Sequence, residues 1–514
     1  MPPADAVPAV DEGWQRVHPL TPLIKSWQIV VVILIFVAQD FGRNAVQQQR
    51  SPWDEVGQLG KLSGRFIAGG GALLVAALGL IVLGMFLSWR MTKYRISADA
   101  LELHHGILTR HQRRARLDRL QAVDVSQPLL ARITGLARLT LEVAGSGDSR
   151  VELAYLTERE ALSLRAHLLA RAAGLKYDTA EAPLAPESPV VEVPLGRLIG
   201  SLVLSGAMAA LLVIFLGLSA GAFVLGAFAP VAALLTVLIG SVGALWRRFS
   251  NGFGFTLAAS PDGLRVRRGL LEHRAQTVPP GRVQAIRVEQ PLLWRGTGWW
   301  RVKVNVAGYR GREDRGVGSE DVLLPVGTRA EAVRVLALLV PDLGDLDGDD
   351  AHAVVDAAMT GSGPGLGFVT APPAARWLDP IGWWRIGYRV TGGVLLIRQG
   401  VLQRACEIVP HARTQSLGVK QGPLQRALRL ASFAVHSTPG PVSPVVPHLG
   451  SVVAARLLDE QAARARQARA VAGPERWMEE LAGQPGVQPG VEPGVQSGVQ
   501  DGAGSTALPD QGRR

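Results

Sequence analysis

Runs of apolar residues divide the chain into segments of membrane character and segments of soluble character. The longest run, 198–246, has no Lys, Arg, Asp or Glu among its 49 residues. One span needs about 20 apolar residues, so this run predicts two spans with a turn near 221–230. Two earlier runs, 26–39 and 66–89, are also apolar. The pattern therefore predicts four transmembrane helices in two hairpins, of which the first helix is the shortest.

Charged residues beside these runs predict the orientation of the chain in the membrane. Arginine and lysine cluster after the second and the fourth predicted span, whereas the connection between the first two spans is close to balanced in charge. Cytoplasmic flanks carry the excess of Lys and Arg, so we expect both termini and every large soluble segment in the cytoplasm. The second span and the long run lack the charged residues that a transport path usually has, which favours an anchoring role.

Between the apolar runs, one strand pattern recurs three times. Counted from Gly106, Gly269 and Gly400, apolar residues stand five and three positions earlier, as in a strand with one buried face. An arginine follows each glycine after thirteen positions, and glutamines follow after fifteen and twenty-one. These residues are Arg119, Gln121 and Gln127 in copy 1, Arg282, Gln284 and Gln290 in copy 2, and Arg413, Gln415 and Gln421 in copy 3. Agreement without gaps indicates a tandem repeat.

The three copies also end alike. Thr157 precedes Glu160 by three residues and Thr328 precedes Glu331 by three, which is the capping-box pattern at the start of a helix. Ser451 is a candidate N-cap without such a partner. Each copy is therefore predicted to form several short strands and then one helix. The strands would curl into a small antiparallel sheet or barrel, and the helix would close its open end.

Copy 3 departs from the other two at two places. Pro128 and Pro291 follow the second glutamine in copies 1 and 2, whereas Gly422 stands there in copy 3. The sequence RWLDPIGWWRIGY takes the place of a membrane hairpin in copy 3. Trp383 and Trp384 in this segment either touch the membrane interface or pack in the core or between domains, and we favour packing.

Composition narrows the class of partner. The chain has 514 residues and a net charge of +11. A basic chain suggests an anionic partner, either nucleic acid or a lipid surface, but a positive-inside bias beside spans explains the same charge and is favoured here. Cys406 is the only cysteine, so an intrachain disulfide and a cysteine-rich zinc site are both excluded.

Basic strand segments are the candidate binding residues. They either contact anionic lipid headgroups or an acidic peptide, or they form an ordinary solvated strand face; a cation near an anionic leaflet contributes about 1 kcal/mol. The candidates are Arg110, Arg113, Arg114 and Arg119 in copy 1, Arg265, Arg267, Arg268 and Arg282 in copy 2, and Arg413 in copy 3.

The repeated glycines, glutamines and prolines are predicted to have structural roles. The Arg-x-Gln pattern could form a ligand site, but bonding to a neighbouring loop or helix end is favoured. Gln127 and Gln290 precede proline and are expected to shape a turn. The full structural set is Gly106, Gln121, Gln127 and Pro128, then Gly269, Gln284, Gln290 and Pro291, then Gly400, Gln415 and Gln421.

No motif points to catalysis or to a cofactor. The histidines near Gly106 lack the helical spacing of a metalloprotease site, so neither a metal nor a cofactor is expected. Nucleophile elbows, Walker loops and dinucleotide fingerprints are absent in a fitting context. No basic sheet with interleaved aromatic residues and no recognition helix is evident, so nucleic-acid binding is not expected.

The repeated segment resembles a known family. The strand that ends in Gly-apolar-Leu, followed by Arg-x-Gln-apolar-x-Val-x-Gln-Pro-Leu-Leu, is similar to the bacterial PH-like domain of the bPH2 type, formerly called a domain of unknown function. Two membrane hairpins with three such domains resemble the YdbT-type membrane proteins over about residues 14–470. The resemblance implies a PH-like fold, membrane residence and no known catalytic residues.

Together these features predict a membrane-anchored α+β protein. It would have four transmembrane helices in two hairpins and three PH-like β-barrel domains, each capped by a C-terminal helix. The predicted boundaries are 1–89 for the N-terminal segment and first hairpin, 90–175 for domain 1, 176–197 for a linker, 198–248 for the second hairpin, 250–342 for domain 2, 343–375 for a linker, 376–470 for domain 3 and 471–514 for a disordered tail.

The expected function is non-enzymatic. The three domains would face the cytoplasm at the cell membrane and bind a protein partner or anionic lipid. Alternatives are an accessory role in membrane transport or export, in which the hairpins form a path, and an enzyme that the motifs do not reveal.

Overall fold

The computed structural model describes most of the three copies and the second predicted hairpin. The described residues are 14–21, 24, 79, 83–84, 86–87, 89–96, 100–106, 111–116, 120–143, 150–172, 188–225, 229–260, 263–307, 322–341, 343, 346, 348–438 and 440–471. Most of the first predicted hairpin and nearly all of the predicted tail lie outside them.

Copy 1 consists of a group of four strands, a group of three strands and a closing helix. Its strands are β1 (Gln15–Arg16), β2 (Lys93–Ile96), β3 (Ala100–His105), β4 (His111–Arg116), β5 (Leu120–Pro128), β6 (Leu136–Val143) and β7 (Arg150–Thr157). A short helix, α1 (Leu129–Ile133), joins β5 to β6, and α2 (Glu158–Ala172) follows β7. All neighbouring strands are antiparallel.

Copy 2 has the same order of strands, and three helices lie between its first two strands. Its strands are β8 (Ser188–Glu192), β9 (Thr256–Ser260), β10 (Gly263–Arg268), β11 (Glu272–Val278), β12 (Val283–Pro291), β13 (Trp299–Val306) and β14 (Val322–Thr328). The helices between β8 and β9 are α3 (Leu195–Val203), α4 (Gly206–Leu225) and α5 (Ala229–Gly252). A 3-10 turn, Leu292–Arg295, stands where copy 1 has α1, and α6 (Arg329–Leu339) closes the copy.

Copy 3 is preceded by α7 (Ala351–Met359) and repeats the pattern without membrane helices. Its strands are β15 (Val369–Thr370), β16 (Gly387–Val390), β17 (Val394–Gln399), β18 (Gln403–Pro410), β19 (Ser416–Lys420), β20 (Leu430–His436) and β21 (Val445–Gly450). A short helix, α8 (Pro423–Ala427), follows β19, and α9 (Ser451–Val471) closes the copy.

The sheets do not stop at the copy boundaries. β5 of copy 1 pairs with β11 of copy 2, and β12 of copy 2 pairs with β18 of copy 3. Two seven-stranded sheets result, β7-β6-β5-β11-β10-β9-β8 and β14-β13-β12-β18-β17-β16-β15. The predicted antiparallel sheets and three PH-like units fit this arrangement, but the first strand of the three-stranded group in copies 1 and 2 also hydrogen-bonds to the next copy. We call these two pairings joint 1 (β5 with β11) and joint 2 (β12 with β18).

Each predicted domain also begins earlier than expected. In copies 1 and 2 the first strand precedes the predicted membrane hairpin and pairs with the strand that follows it. The hairpin is thus an insertion inside the copy, and the boundaries at 90, 250 and 376 leave out β1, β8 and β15. The segment 343–375 is not a simple linker either, because Val354, Ala358 and Met359 of α7 are fully buried in the core.

Glycine and capping residues set the local geometry as the repeat predicted. Gly106, Gly269 and Gly400 all have positive φ and lie in the hairpin between the third and fourth strands. A Cβ on Gly269 would overlap the carbonyl oxygen of Glu272. Thr157 and Thr328 form the expected capping boxes with Glu160 and Glu331, since each hydroxyl accepts from the glutamate N–H at 3.3 Å.

The hydrophobic cores follow the joined sheets. The core of copy 1 lies between its strands and α2. The core of copy 2 includes Leu396 and Ile408 from copy 3, and the core of copy 3 includes Ala285 from copy 2. Neighbouring copies therefore share buried apolar side chains as well as strand hydrogen bonds.

The second predicted hairpin is helical but broken. Among the described residues, no single helix has both the length and the apolar character needed to cross a membrane. Leu195–Val203 and Gly206–Gly221 meet these criteria together, as a pair bent by 44°. Helix α4 ends at Leu225 and α5 begins at Ala229, and both positions lie within the predicted turn near 221–230.

Candidate functional site

A short turn after the repeated glutamine exposes apolar side chains in every copy. The strand runs on through Pro128 and Pro291 before it turns, so the turn comes after the proline and not at Gln127 and Gln290. Proline has no N–H to continue a ladder, which suits it to the end of a strand. The exposed side chains are Leu129 and Ile133 in copy 1, Leu292 and Leu293 in copy 2, and Leu424 in copy 3.

The joints bring a second exposed leucine to each of the first two turns. Glu272 pairs with Pro128 at joint 1, and Gln403 pairs with Pro291 at joint 2. The hairpin tips immediately before Glu272 and Gln403 carry Leu271 and Leu402, which are 43% and 62% exposed. Each joint thus ends in a cluster of exposed leucines contributed by two copies.

Copy 3 adds three exposed apolar side chains, two of them aromatic, from the segment before β16. Trp377, Ile381 and Trp384 are 72%, 58% and 44% exposed. The turn that carries them is fixed by the Gly382 N–H, which donates to Asp379 Oδ1 at 2.8 Å. Trp383 instead packs against the core of copy 3. The favoured prediction of packing thus fits Trp383, whereas Trp384 is exposed.

We call these exposed side chains the apolar rim. Its members are Leu129, Ile133, Leu271, Leu292, Leu293, Trp377, Ile381, Trp384, Leu402 and Leu424.

Arginines lie among the apolar residues of the rim. Arg132 and Arg426 are exposed, and Arg295 and Arg404 are partly exposed. Burial, and then the nearby Arg404, lower the pKa of Arg295. Burial, and then Arg132, lower the pKa of His273. The positive charges are thus close enough to influence one another, and the rim combines leucine with arginine as surfaces that meet anionic lipid do.

The rim is attached to the apolar helices. The N–H groups of Gly269 and Leu270 donate to the carbonyl oxygens of Phe253 and Ser250 at the end of α5, both at 2.8 Å. The Trp294 indole N–H donates to the Ser201 carbonyl of α3 at 3.2 Å. The first and the last helix of this region, α3 and α5, therefore both contact the rim.

Copy 1 has the same arrangement around its own predicted hairpin. Ile24, just before the first predicted span, is buried against Ala131 of α1. The Trp89 indole N–H, at the end of the second predicted span, donates to the Val17 carbonyl at 2.9 Å.

Helix α4, beyond the rim, has exposed apolar side chains on all sides. Five consecutive side chains of α4, from Leu212 to Leu216, are each between 41% and 69% exposed. A helix that is apolar all round belongs in a nonpolar environment.

Joint 2 also carries a cluster of charges on the sheet. Arg287 on β12 bonds to Glu407 on β18 at 3.0 Å, and Lys303 bonds to Glu289 at 2.7 Å. Burial raises the pKa of Glu407 to about 7 despite Arg287. Burial also acts to raise the pKa of Glu289, but Lys303, Arg301 and Arg287 together outweigh it and hold that pKa below its usual value. The Arg287–Glu407 pair connects copies 2 and 3, whereas the Lys303–Glu289 pair lies within copy 2.

The cleft at joint 1 is small. It has a volume of about 50 Å³ and is lined by Asp124, Arg138, Glu152, Glu272 and Arg274, among others. Small-molecule sites occupy about 300–1,000 Å³, so this cleft does not resemble a substrate site. Within the described part of the chain, His, Cys, Asp and Glu side chains form no group of three that could hold a metal ion.

The predicted basic residues do not form one surface. Arg265 and Arg268 are buried, whereas Arg267 is exposed. Their burial follows from the position of β10 inside the seven-stranded sheet, where charged strand positions are covered. Arg113, Arg282 and Arg413 are partly exposed, and Arg114 lies on β4. Arg110 and Arg119 lie outside the described residues.

The repeated polar residues lie in the strands and their turns. Gln284 is buried and donates to the Arg282 carbonyl at 3.4 Å. Gln127 and Gln290 lie in the two joints, opposite His273 and Arg404. Gln421 donates to the Leu430 carbonyl at 2.9 Å, and Gln415 is exposed.

The sequence carried the signal for the rim without revealing its exposure. Leucine recurs after the glutamine in all copies, but a repeated leucine in a small domain is ordinarily core. Only the pairing of copies shows that these leucines face outward together.

The chain was compared with known proteins. The family model described as bPH_2, bacterial PH domain, matches residues 44–172, 209–343 and 343–468. The UPF0699 transmembrane protein YdbT of Bacillus subtilis (strain 168) is 22% identical over 304 residues, which cover 53% of this chain and 61% of that relative. The chain thus matches less than two thirds of that relative's length. No solved structure matches.

Proposed function

This chain belongs to the bacterial PH domain family, and from that membership we propose that it is a non-enzymatic membrane protein whose three PH-like units bind anionic lipid. The apolar rim would lie in the interface of the bilayer, with its arginines at the level of the headgroups. The observation that carries the proposal is the recurrence of exposed leucine with arginine in all three copies, together with the contacts between the rim of copy 2 and the helices α3 and α5.

Physical magnitudes favour a lipid surface for this rim. Each leucine moved out of water contributes about 1.5–3 kcal/mol when fully buried, and less at an interface. Each arginine near an anionic leaflet adds about 1 kcal/mol. Three units held in fixed relation bind as one multivalent surface, which raises avidity without any new contact.

The orientation proposed from the charge pattern agrees with this role. With the soluble copies in the cytoplasm, the rim would meet the leaflet that carries anionic lipid. The apolar helices would anchor the chain, and the rim would fix the height and tilt of the copies above the membrane.

The test uses the full chain in lipid nanodiscs. Leu293→Cys and Leu424→Cys are labelled with a fluorophore, and quenching by lipids that carry a spin label is measured. Val471→Cys is the matched control, because it is 81% exposed and lies at the far end of the 21-residue α9. The native Cys406 is buried and burial raises its pKa to about 12, so it should not react.

Strong quenching at the two rim positions and weak quenching at Val471 is expected. Arg132→Gln with Arg426→Gln should reduce the quenching in anionic discs more than in neutral discs, whereas Arg267→Gln should not. Equal quenching at the rim and at Val471 would contradict the proposal and assign the exposed leucines to a protein partner.

A further inference from the structure

Each sheet among the described residues ends in two edge strands, and two of these edge strands are of the kind that forms a joint elsewhere in the chain. One is β4, at the end of the four-stranded sheet of copy 1, and the other is β19, at the end of the three-stranded sheet of copy 3. An open edge presents a row of N–H and C=O groups that can pair with another strand. The two open edges are therefore candidate interaction surfaces.

These edges are the same two edges that form the joints elsewhere in the chain. The fourth strand of copy 2, β11, pairs with β5, and the fourth strand of copy 3, β18, pairs with β12. β4 is the fourth strand of copy 1. β19 is the fifth strand of copy 3, as β5 is in copy 1 and β12 in copy 2. Among the described residues, the row of three copies therefore has one half of a joint at each side, β4 in copy 1 and β19 in copy 3.

Both joints use one register. The third residue after the glycine of one copy pairs with the twenty-second residue after the glycine of the copy before it, as Glu272 with Pro128 and Gln403 with Pro291. The following pairs keep the same offset, as Ala275 with Val125 and Cys406 with Val288. Two independent joints with one register indicate a geometry that belongs to the repeat itself.

The same offset defines a third joint between two chains. Gln112 of β4 would stand opposite Val419 of β19, and Arg113 would stand opposite Gly418. The complete set from this rule is His111 with Lys420, Gln112 with Val419, Arg113 with Gly418 and Arg114 with Leu417.

Burial at the equivalent positions supports an absent neighbour at β19. Val125 and Val288 are 5% and 0% exposed in the two joints, whereas Val419 at the same position is 38% exposed. Gln290 is 4% exposed in joint 2, and the equivalent Gln421 is exposed. Val125 and Val288 each have a residue of the next copy opposite them, Ala275 and Cys406. On the edge of β19 that faces away from β20, Val419 has no such residue opposite it among the described residues.

Charge on these edges makes pairing selective. Arginine and lysine on an edge strand discourage indiscriminate pairing. In the proposed register Arg113 faces a glycine and Arg114 faces a leucine, so these arginines avoid a permanent cation directly opposite. A shift by two residues towards the end of β19 would place Arg113 opposite Lys420 and would lose this arrangement.

We infer that β19 of one chain pairs with β4 of a second copy of this chain, in the register of the two internal joints. The contact is head to tail, so repetition produces either a closed ring or an open row of chains. Each added chain would continue the row of PH-like units along the membrane.

The first experiment is disulfide trapping in native membranes. Two full chains with different tags, one Gln112→Cys and the other Val419→Cys, are co-expressed and oxidised. Directly opposed residues in an antiparallel pair have Cα atoms about 4.5–5.5 Å apart, within the range of a disulfide. A linked species that carries both tags is expected, and Gln112→Cys together with Val419→Cys in one chain should give a ladder or a closed ring.

Controls separate this register from random collision. Gln421 is exposed and lies two residues after Val419, just beyond the end of β19, so Gln421→Cys should stand diagonally from Gln112, about 7–8 Å away. It should link to Gln112→Cys at least several-fold less than Val419→Cys does. Equal linking at both positions, or no linking at Val419, would overturn the inference.

Mass measurement gives an independent outcome. The wild-type chain in detergent should show a mass that rises with concentration, and Val419→Arg should lower that mass towards the monomer. Because Val419 is on the surface, the variant should keep the wild-type circular dichroism spectrum. A wild-type chain that stays monomeric across the concentration series would also contradict the proposed pairing.

Discussion

Two carboxylates of joint 2, Glu407 and Glu289, should affect the folding stability in opposite ways as the pH changes, although they lie on adjacent paired strands. Glu407 is buried and its pKa is raised from 4.5 to about 7. The folded state therefore holds a proton that the unfolded state releases, so stability falls as pH rises from about 4.5 to about 7.

Glu407→Gln should remove this loss. The variant keeps an oxygen that can accept from the Val445 N–H, which lies 3.3 Å from Glu407. Relative to the wild type, its free energy of unfolding should increase by up to about 3 kcal/mol between about pH 5 and about pH 8. Thermal unfolding of the full chain at several pH values measures the difference.

Glu289→Gln is the contrasting variant. The cations around Glu289 lower its pKa, so the stability that the ionised group contributes is present above its unfolded pKa and lost as pH falls through the folded one. Glu289→Gln should therefore be less stable than the wild type at neutral pH. Parallel pH profiles for the two variants would contradict the different charge environments described for joint 2.

Gly269 predicts a backbone effect at a single residue. Its φ is +114°, and a Cβ would overlap the Glu272 carbonyl. Gly269→Ala should cost about 1–3 kcal/mol of stability. Gly296→Ala is the matched control, because Gly296 has a φ of −63° and open space around it. A similar loss in both variants would show that the hairpin does not depend on the conformation of Gly269.

At the scale of elements, the contacts of α3 show how this helix is fixed to the sheet of copy 2. Gly200 lies against Trp299, and a Cβ there would approach the indole ring at 2.8 Å. Arg197 of the same helix pairs with Glu331 of α6 at 2.7 Å. The helix is thus held closely against the sheet and against the closing helix.

Gly200→Val should displace α3 from Trp299. Hydrogen exchange should increase in α3 and around the Trp294 indole N–H, which bonds to α3. Gly196→Val is the control, because nothing lies within 4 Å of a Cβ at that position and the residue belongs to the same helix. If both variants change exchange equally, helix propensity and not close packing explains the effect.

Strands, closing helices and caps could be predicted from the repeat, whereas their pairing could not. Alternating apolar positions and a constant offset from Gly106, Gly269 and Gly400 are local signals, and the structure has a β-hairpin at each. The partner of a strand edge is not a local signal, so the joints were missed. The burial of Arg265 and Arg268 was missed for the same reason, since it depends on neighbours distant in sequence.

The candidate site divides in the same way. Leucine and arginine after the repeated glutamine are visible in the sequence, but their exposure depends on joints between copies. The sequence predicts a linker at α7 because the surrounding residues are acidic and rich in glycine. Its buried face, with Val354, Ala358 and Met359, appears only when the core of copy 2 is assembled around it.

For the whole molecule, shared cores predict coupled stability of copies 2 and 3. Ile408 of copy 3 pairs with Ile286 of copy 2 and is 2% exposed in the core of copy 2. Ile408→Ala should cost about 2–5 kcal/mol, and the loss should reach β12 and β13. Phe433→Ala is the comparison, because Phe433 is buried among the residues of copy 3 and should mainly affect β19, β20 and α9. Hydrogen exchange with peptide resolution on the full chain measures both.

Increased exchange confined to copy 3 in both variants would mean that the copies behave as independent domains despite their joined sheets. Increased exchange that spreads into copy 2 for Ile408→Ala alone is the outcome that a continuous sheet with a shared core requires.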